Sequence, residues 1–237
     1  MEWLSYLAYG DTGWGDELLS GLVVTLSLAF CALPLGLGLG ITVATAAMAK
    51  HSLPKRLALV FTTVIRGLPE LLTLFIIYHG VGLLLNKGVN ALFPDIGYIE
   101  FSPFIAGTIA LGLVFAGYSA EVFRGAWLAT DKGQREAALA LGLKKGSVFR
   151  LVELPQIARL ALPGLGNLWI NLLKDTALVS IIALDDLMRM ANVAVGSTKK
   201  PFVFFLTVCL MYWLVCIVFE WCIAKLEHRA NRGIQSF

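Results

Sequence analysis

The chain has 237 residues, 58% of them hydrophobic and only 15% charged, with a mean hydropathy of +0.78. An ordinary soluble domain carries about 25% charged residues, so this chain cannot clothe itself in a polar surface, and it is too apolar to be disordered. The net charge of +3 is too small to point to nucleic acid, and the four cysteines (Cys31, Cys209, Cys216, Cys222) sit in apolar runs as small hydrophobes, not as a disulfide framework. What remains is an all-α, polytopic membrane protein. A bilayer crossing takes about 20 apolar residues per helix, and five stretches qualify.

The first, residues 18–49, carries no charge. Its 32 residues would reach about 48 Å as a straight helix, so it must tilt, bend or protrude. Pro34 and the ladder Gly36, Gly38, Gly40 offer a place to bend and to pack closely on a neighbour. It lacks the charged start and cleavage site of a removed signal, and is expected to be retained. The second, residues 57–85, holds Arg66, Pro69 and Glu70. A charge in hydrocarbon costs about 2.5–3.5 kcal/mol on insertion scales. Arg66 and Glu70 stand four apart, so on one helix they share a face and can pair. Pro69 removes a backbone hydrogen bond and should break the helix between them. Either the broken span lines a pathway, or Arg66 reaches the inner interface and Glu70 neutralises it.

The third stretch, residues 101–123, ends near Glu121, three residues before Arg124. This is either an anchoring ion pair or a carboxylate for the cationic end of a substrate. The fourth, residues 160–184, spans only if it crosses Lys174 and Asp175, because residues 160–173 alone are too short. Adjacent residues point to different helix faces, so both charges need water or another element. Asn167 and Asn171, one and two turns earlier, extend a polar stripe toward them, which reads as a pathway lining. The fifth, residues 201–224, has Glu220 near its inner end.

Orientation follows from the basic residues. With the N-terminus outside, 13 of the 19 fall inside, 4 outside (Lys87, Arg189, Lys199, Lys200), and Arg66 and Lys174 within spans. The N-terminus is therefore expected outside and the C-terminus inside. The long loop 124–159 then faces the cytoplasm. Its run from Glu136 to Leu143 is rich in Ala and Leu and predicts a short helix ended by Gly142. Ser147 is placed to cap a second short helix limited by Pro155. The small residues Ala137, Ala138 and Ala140 suit either a docking peg or an amphipathic helix lying on the membrane.

The spacing Glu136-Ala137-Ala138, three residues, Gly142, nine residues, Val152, one residue, Leu154-Pro155 resembles the EAA loop of importer-type ABC permeases. Val152 stands where Ile is usual. The segments 66–70 (Arg-Gly-Leu-Pro-Glu), 120–125 (Ala-Glu-Val-Phe-Arg-Gly), 132–136 (Lys-Gly-Gln-Arg-Glu), 161–167 (Ala-Leu-Pro-Gly-Leu-Gly-Asn) and 173–178 (Leu-Lys-Asp-Thr-Ala-Leu) are similar to the HisMQ subfamily of polar amino acid permeases. The likeness covers residues 18–230 and is nearest to permeases for histidine, arginine, ornithine and opines. It implies a type I ABC importer core formed by one permease domain over 1–237, in a bacterial inner membrane. It further implies a second permease subunit, more often a related chain than a copy. Two ATPase subunits would bind ATP and magnesium, and a soluble periplasmic protein would deliver substrate. The loop residues Glu136, Ala137, Ala138, Gly142, Leu154 and Pro155 would then couple to the ATPase. Arg66, Pro69, Glu70, Glu121, Asn167, Asn171, Lys174 and Asp175 are the candidates for the substrate pathway.

The chain has no Gly-Lys pair, hence no phosphate-cradling loop of its own. No cofactor and no enzymatic role are expected in it. Its three histidines (His51, His79, His228) do not form a metal set. The competing expectations are an ion-gradient-driven amino acid transporter and a non-transporting scaffold.

Overall fold

A computed structural model describes residues 5–10, 13–92, 97 and 99–231. Arg232, counted among the inner basic residues, lies outside the described residues. Four helices are long and apolar enough to cross a membrane: α1 (Gly15–Ala47), α3 (Glu70–Leu92), α4 (Pro103–Leu128) and α8 (Pro201–Ala230). Between them lie α2 (Ser52–Gly67), α5 (Lys132–Ala140), α6 (Leu154–Asp175) and α7 (Leu187–Thr198). No strand occurs among the described residues.

The expected second span is two helices. Leu68 (φ −93°, ψ 140°) and Pro69 (φ −58°, ψ 136°) are extended and separate α2 from α3. Pro69 is the cause: its ring excludes the helical hydrogen bond and biases Leu68 toward extended backbone. As the residue before α3, it has no N–H to leave unsatisfied. The third span runs further than expected, to Leu128, so Glu121 and Arg124 lie within the helix and the loop after it starts later.

The stretch at 160–184 is not among the helices that qualify by length and composition. Its helix α6 starts earlier, at Leu154, and passes at Thr176–Ile182 into a 3-10 segment, ended by left-handed Ala183 (φ 68°). It nevertheless runs the length of α4. Near its start, Ile157 and Ala161 cluster with Ala126 of α4. Beyond its end, Val179 lies against Gly107, at the start of α4, where an added Cβ would come within 2.8 Å of it.

The bundle is organised around α4. Within its most apolar stretch 61% of residues are buried, against 28% for α1, 22% for α3 and 17% for α8. Lipid tails are as apolar as leucine, so helices in a membrane associate through close backbone approach. Glycines provide it here. A Cβ on Gly36 would stand 2.9 Å from the Gly112 carbonyl oxygen, and one on Gly40 would collide with the Ser119 hydroxyl. Gly38, on the other face, meets nothing within 4 Å, so two rungs of the ladder pack and the third does not. α1 continues as helix through Pro34.

The main core joins Ala29 and Ala32 of α1, Leu74 of α3, Ala110 and Phe115 of α4, and Trp169 and Leu173 of α6. Phe30, Trp169 and Phe219 form an aromatic knot with ring centroids 5.3–5.8 Å apart. A second core at the start of α1 joins Leu18 to α7 (Leu187, Ala191, Ala194) and to Phe204 and Val208 of α8.

Candidate functional site

The helix break lets α3 start beside α4 and α6, with Glu70 half-buried. Glu70 is its first residue, and Thr73 is the first whose N–H finds a partner in this turn, the Pro69 carbonyl at 3.1 Å. The amides of Glu70, Leu71 and Leu72 are left as the unpaired, electropositive end of a helix. A cavity of about 230 Å³ opens there. Its polar lining is Glu70, Tyr118, Asn171, Lys174 and Asp175, and Phe115 and Leu172 are among its apolar walls. The Glu70 and Asp175 side chains both line it. The fold thus brings a pair of acids, far apart in sequence, to one point beside a lysine.

The other candidates separate. Arg66 does not pair with Glu70, because the i,i+4 relation requires one unbroken helix and the chain breaks between them. Its guanidinium instead lies 5.6 Å from the ring centre of Tyr118. Glu121 is held by Arg124 at 2.7 Å and does not line the cavity. Of the two asparagines, Asn171 faces this cavity, while Asn167 lines another between α6 and α8. Tyr118 had no marker in the sequence. Its place follows only from α4 being the central helix.

The loop expected in the cytoplasm is folded. Asp131 caps α5, its carboxylate accepting the Gly133 N–H at 2.8 Å. At the other end Gly142 is left-handed (φ 83°). The Gly142 N–H donates to the Leu139 carbonyl at 3.0 Å and the Leu143 N–H to that of Ala138 at 3.2 Å, the paired closing bonds of a glycine-ended helix. Ala138 is buried, whereas Glu136, Ala137, Ala140, Leu141 and Gly142 are exposed. The exposed knob is therefore narrower than the three-alanine face expected.

Ser147 does not cap the next helix. It lies inside the short turn Lys145–Val148, whose preceding residue is Lys144. Nor does Pro155 limit it. The chain passes through π-helical Phe149–Glu153 straight into α6, where Pro155 sits in the first turn, a position that needs no amide partner. Leu154 and Pro155 thus start the helix that ends at Asp175. Two contacts tie α5 to this junction: Arg135 to Glu153 at 3.3 Å, and Gln156 donating to the Gln134 side-chain oxygen at 2.9 Å.

Among the described residues no His, Cys, Asp and Glu group is suited to a metal. Residues 36–232 match the family described as binding-protein-dependent transport system inner membrane component. The chain is 42% identical to the nopaline transport system permease protein NocQ of Agrobacterium fabrum, covering 98% of this chain and 99% of that one. It is 40% identical to the octopine transport system permease protein OccQ of Rhizobium meliloti (99% of each chain). To the histidine/lysine/arginine/ornithine transport system permease protein HisQ of Escherichia coli it is 36% identical, over 94% and 97%.

The fold superposes on a crystal structure of an amino acid ABC transporter with histidines at a TM-score of 0.80 and 32% identity, over 91% of this chain and 95% of that one. The inward-facing MetNI methionine ABC transporter shares the fold at a TM-score of 0.63 and 15% identity, over 92% and 95%. The broken helix, the folded loop and these likenesses agree: the chain belongs to the binding-protein-dependent transport system inner membrane component family and is a permease subunit of an ABC importer.

Proposed function

We propose that this chain forms half of a translocation path for a basic amino acid or an opine across a bacterial inner membrane. One observation carries the substrate class: two carboxylates, Glu70 and Asp175, meet in a cavity at the open start of α3. Carboxylates bind a guanidinium or ammonium group through charge-assisted hydrogen bonds. A helix N-terminus favours a carboxylate, and an amino acid carries both. The relatives are named for nopaline, octopine, histidine, lysine, arginine and ornithine, and that range supports a basic substrate.

The fifth crossing is supported by the geometry, and the partners by the family to which the chain belongs. We take α6 as the fifth crossing, since it accompanies α4 from Ala126 to Gly107. That is about 28 Å at 1.5 Å per residue, close to the thickness of the hydrocarbon core. Asn167, Asn171, Lys174 and Asp175 on α6 line cavities. A homologous second permease would supply the other half of the path, and a periplasmic binding protein would load it. Two ATPases, which bind ATP and magnesium, would grip the exposed end of α5. Their closure would move α5 and α6 and open the chamber outward; hydrolysis would return it.

The test is uptake by the assembled transporter in proteoliposomes, with arginine, ornithine, histidine, octopine and nopaline offered in turn. Asp175→Asn is expected to lower uptake of the cationic substrate roughly tenfold or more, as the loss of a hydrogen bond to a charged group worth ~1.5–3 kcal/mol implies. An unchanged rate removes Asp175 from the site. Uptake that persists without ATP and follows a proton gradient would favour the ion-driven alternative.

A further inference from the structure

The chamber at Glu70 and Asp175 shares one residue with a second cavity. This one, of about 280 Å³, lies between α6 and α8 and is lined by Asn167, Lys174, Glu220 and Glu227 among others. Asn167 and Lys174 are seven apart on α6, and Glu220 and Glu227 are seven apart on α8, so each pair holds one helix face across two turns. The cavity lies along the second half of α6 and the last third of α8. Lys174 lines both cavities. Among the described residues the ion pairs are Arg124–Glu121, Arg135–Glu153 and Arg189–Asp185, so Lys174 is committed to neither acidic pair. On one side its charge acts on Asp175. On the other it acts on Cys216, which also feels Glu220.

Two carboxylates held together at membrane depth are unfavourable without a cation. A lysine is suited to supply a movable one, being a compact charge on a flexible four-carbon stem. We propose that Lys174 is a tethered stand-in for the substrate's cationic group. It offsets the charge of the Glu70 and Asp175 pair while the chamber is empty and swings to Glu220 and Glu227 when a guanidinium or ammonium group takes its place. The inference rests on the chamber accepting a cationic substrate. Its consequence is that binding is a cation exchange. Lys174 weakens the grip on substrate and helps to expel it, and a transport site needs such weakness if bound solute is to leave.

Equilibrium binding of radiolabelled arginine, ornithine, histidine, octopine and nopaline to the complete transporter in phosphatidylethanolamine–phosphatidylglycerol nanodiscs tests this. Lys174→Met removes the competitor and is expected to tighten binding about tenfold, corresponding to ~1.4 kcal/mol. Lys174→Arg should stay near the parent. Glu220→Gln with Glu227→Gln removes the refuge for the displaced ammonium and should weaken binding severalfold. That weakening should vanish when Lys174→Met is also present.

Unchanged binding in Lys174→Met overturns the proposal. So does weaker binding, because Lys174 would then contact the substrate itself. A Glu220/Glu227 effect that persists without the lysine also overturns it. Should Lys174→Met fail to assemble, the Glu220/Glu227 variant decides alone, and its binding like the parent is the overturning result. A parent complex that binds none of arginine, ornithine, histidine, octopine and nopaline defeats the cationic-substrate reading and this inference with it. Parent binding with no response to Lys174→Met defeats the inference alone.

Discussion

The Asp186 carboxyl is fully buried at the start of α7, packed where Gly21 of α1 lets the two backbones meet. Its Oδ1 accepts the Arg189 N–H at 2.8 Å and caps the helix, while Oδ2 has no partner. Burial pushes the carboxyl from an ordinary value near 3.8 up to about 7, against the pull of the Arg189 and Asp186 backbone amides and the Arg189 charge, and Asp185 adds to the rise. An acid with a raised value in the folded state stabilises the fold when protonated. That contribution is complete below about 3.8 and is lost as pH rises through about 7. Thermal stability of the solubilised protein is therefore expected to fall between about pH 4 and about pH 7. Asp186→Asn keeps an oxygen for the cap and cannot ionise, so it should flatten the fall. Identical pH profiles for the two proteins would refute this reading of Asp186.

Single residues were legible in the sequence where their effect is local. Pro69 announces the break and Gly142 the end of α5, because both act on their own backbone. Arg66 and Glu70 misled, since a pairing by helical spacing holds only if the helix between them survives. The meeting of Glu70 with Asp175 had no local signal at all, being set by how α3 and α6 pack on α4.

At the scale of elements, α6 is a rod of about 33 Å with the loop junction at one end and Lys174 and Asp175 at the other. The stiffness of a helix lets it carry displacement between the two, and Arg135–Glu153 with Gln134–Gln156 joins it to α5. Arg135 is 55% exposed, so the ion pair adds only ~0–1 kcal/mol to stability. Its value would lie in registration. Reversing one charge sets like charges together. Arg135→Glu or Glu153→Arg alone should therefore raise the ATP hydrolysed per molecule imported severalfold with little change in melting temperature, and the exchanged pair should restore the ratio. A double variant as uncoupled as the singles would sink the pairing. Gly142→Asp, which burdens a left-handed position at the tip of α5, is the companion control. It should abolish uptake with the protein still in the membrane, and normal uptake there would tell against α5 as the coupling element.

This junction was half legible. The EAA spacing located the loop. The partner of Arg135 lies across a turn, through a π-helical segment that no propensity rule picks out.

For the molecule as a whole, the number of crossings decides where the termini lie. The four helices that qualify by composition would leave both ends on one side, whereas α6 as a fifth crossing puts them on opposite sides. Hydropathy fails for α6 because Asn167, Asn171, Lys174 and Asp175 line open cavities, and a sliding average cannot tell a cavity-facing lysine from a lipid-facing one. The basic residues, 13 against 4, favour an outside N-terminus and hence a cytoplasmic α5.

The two topologies differ at Ala137 and Lys199. With α6 crossing, they lie on opposite faces of the membrane; without it, they share one. Single cysteines at these positions, in a background with Cys31, Cys209, Cys216 and Cys222 replaced, can be probed with a membrane-impermeant maleimide. Ala137→Cys is expected to react only in inverted vesicles and Lys199→Cys only in right-side-out ones. Both reacting from the same side would reduce α6 to a re-entrant helix. Ala137→Cys reacting from outside would put α5 beyond the reach of any cytoplasmic ATPase.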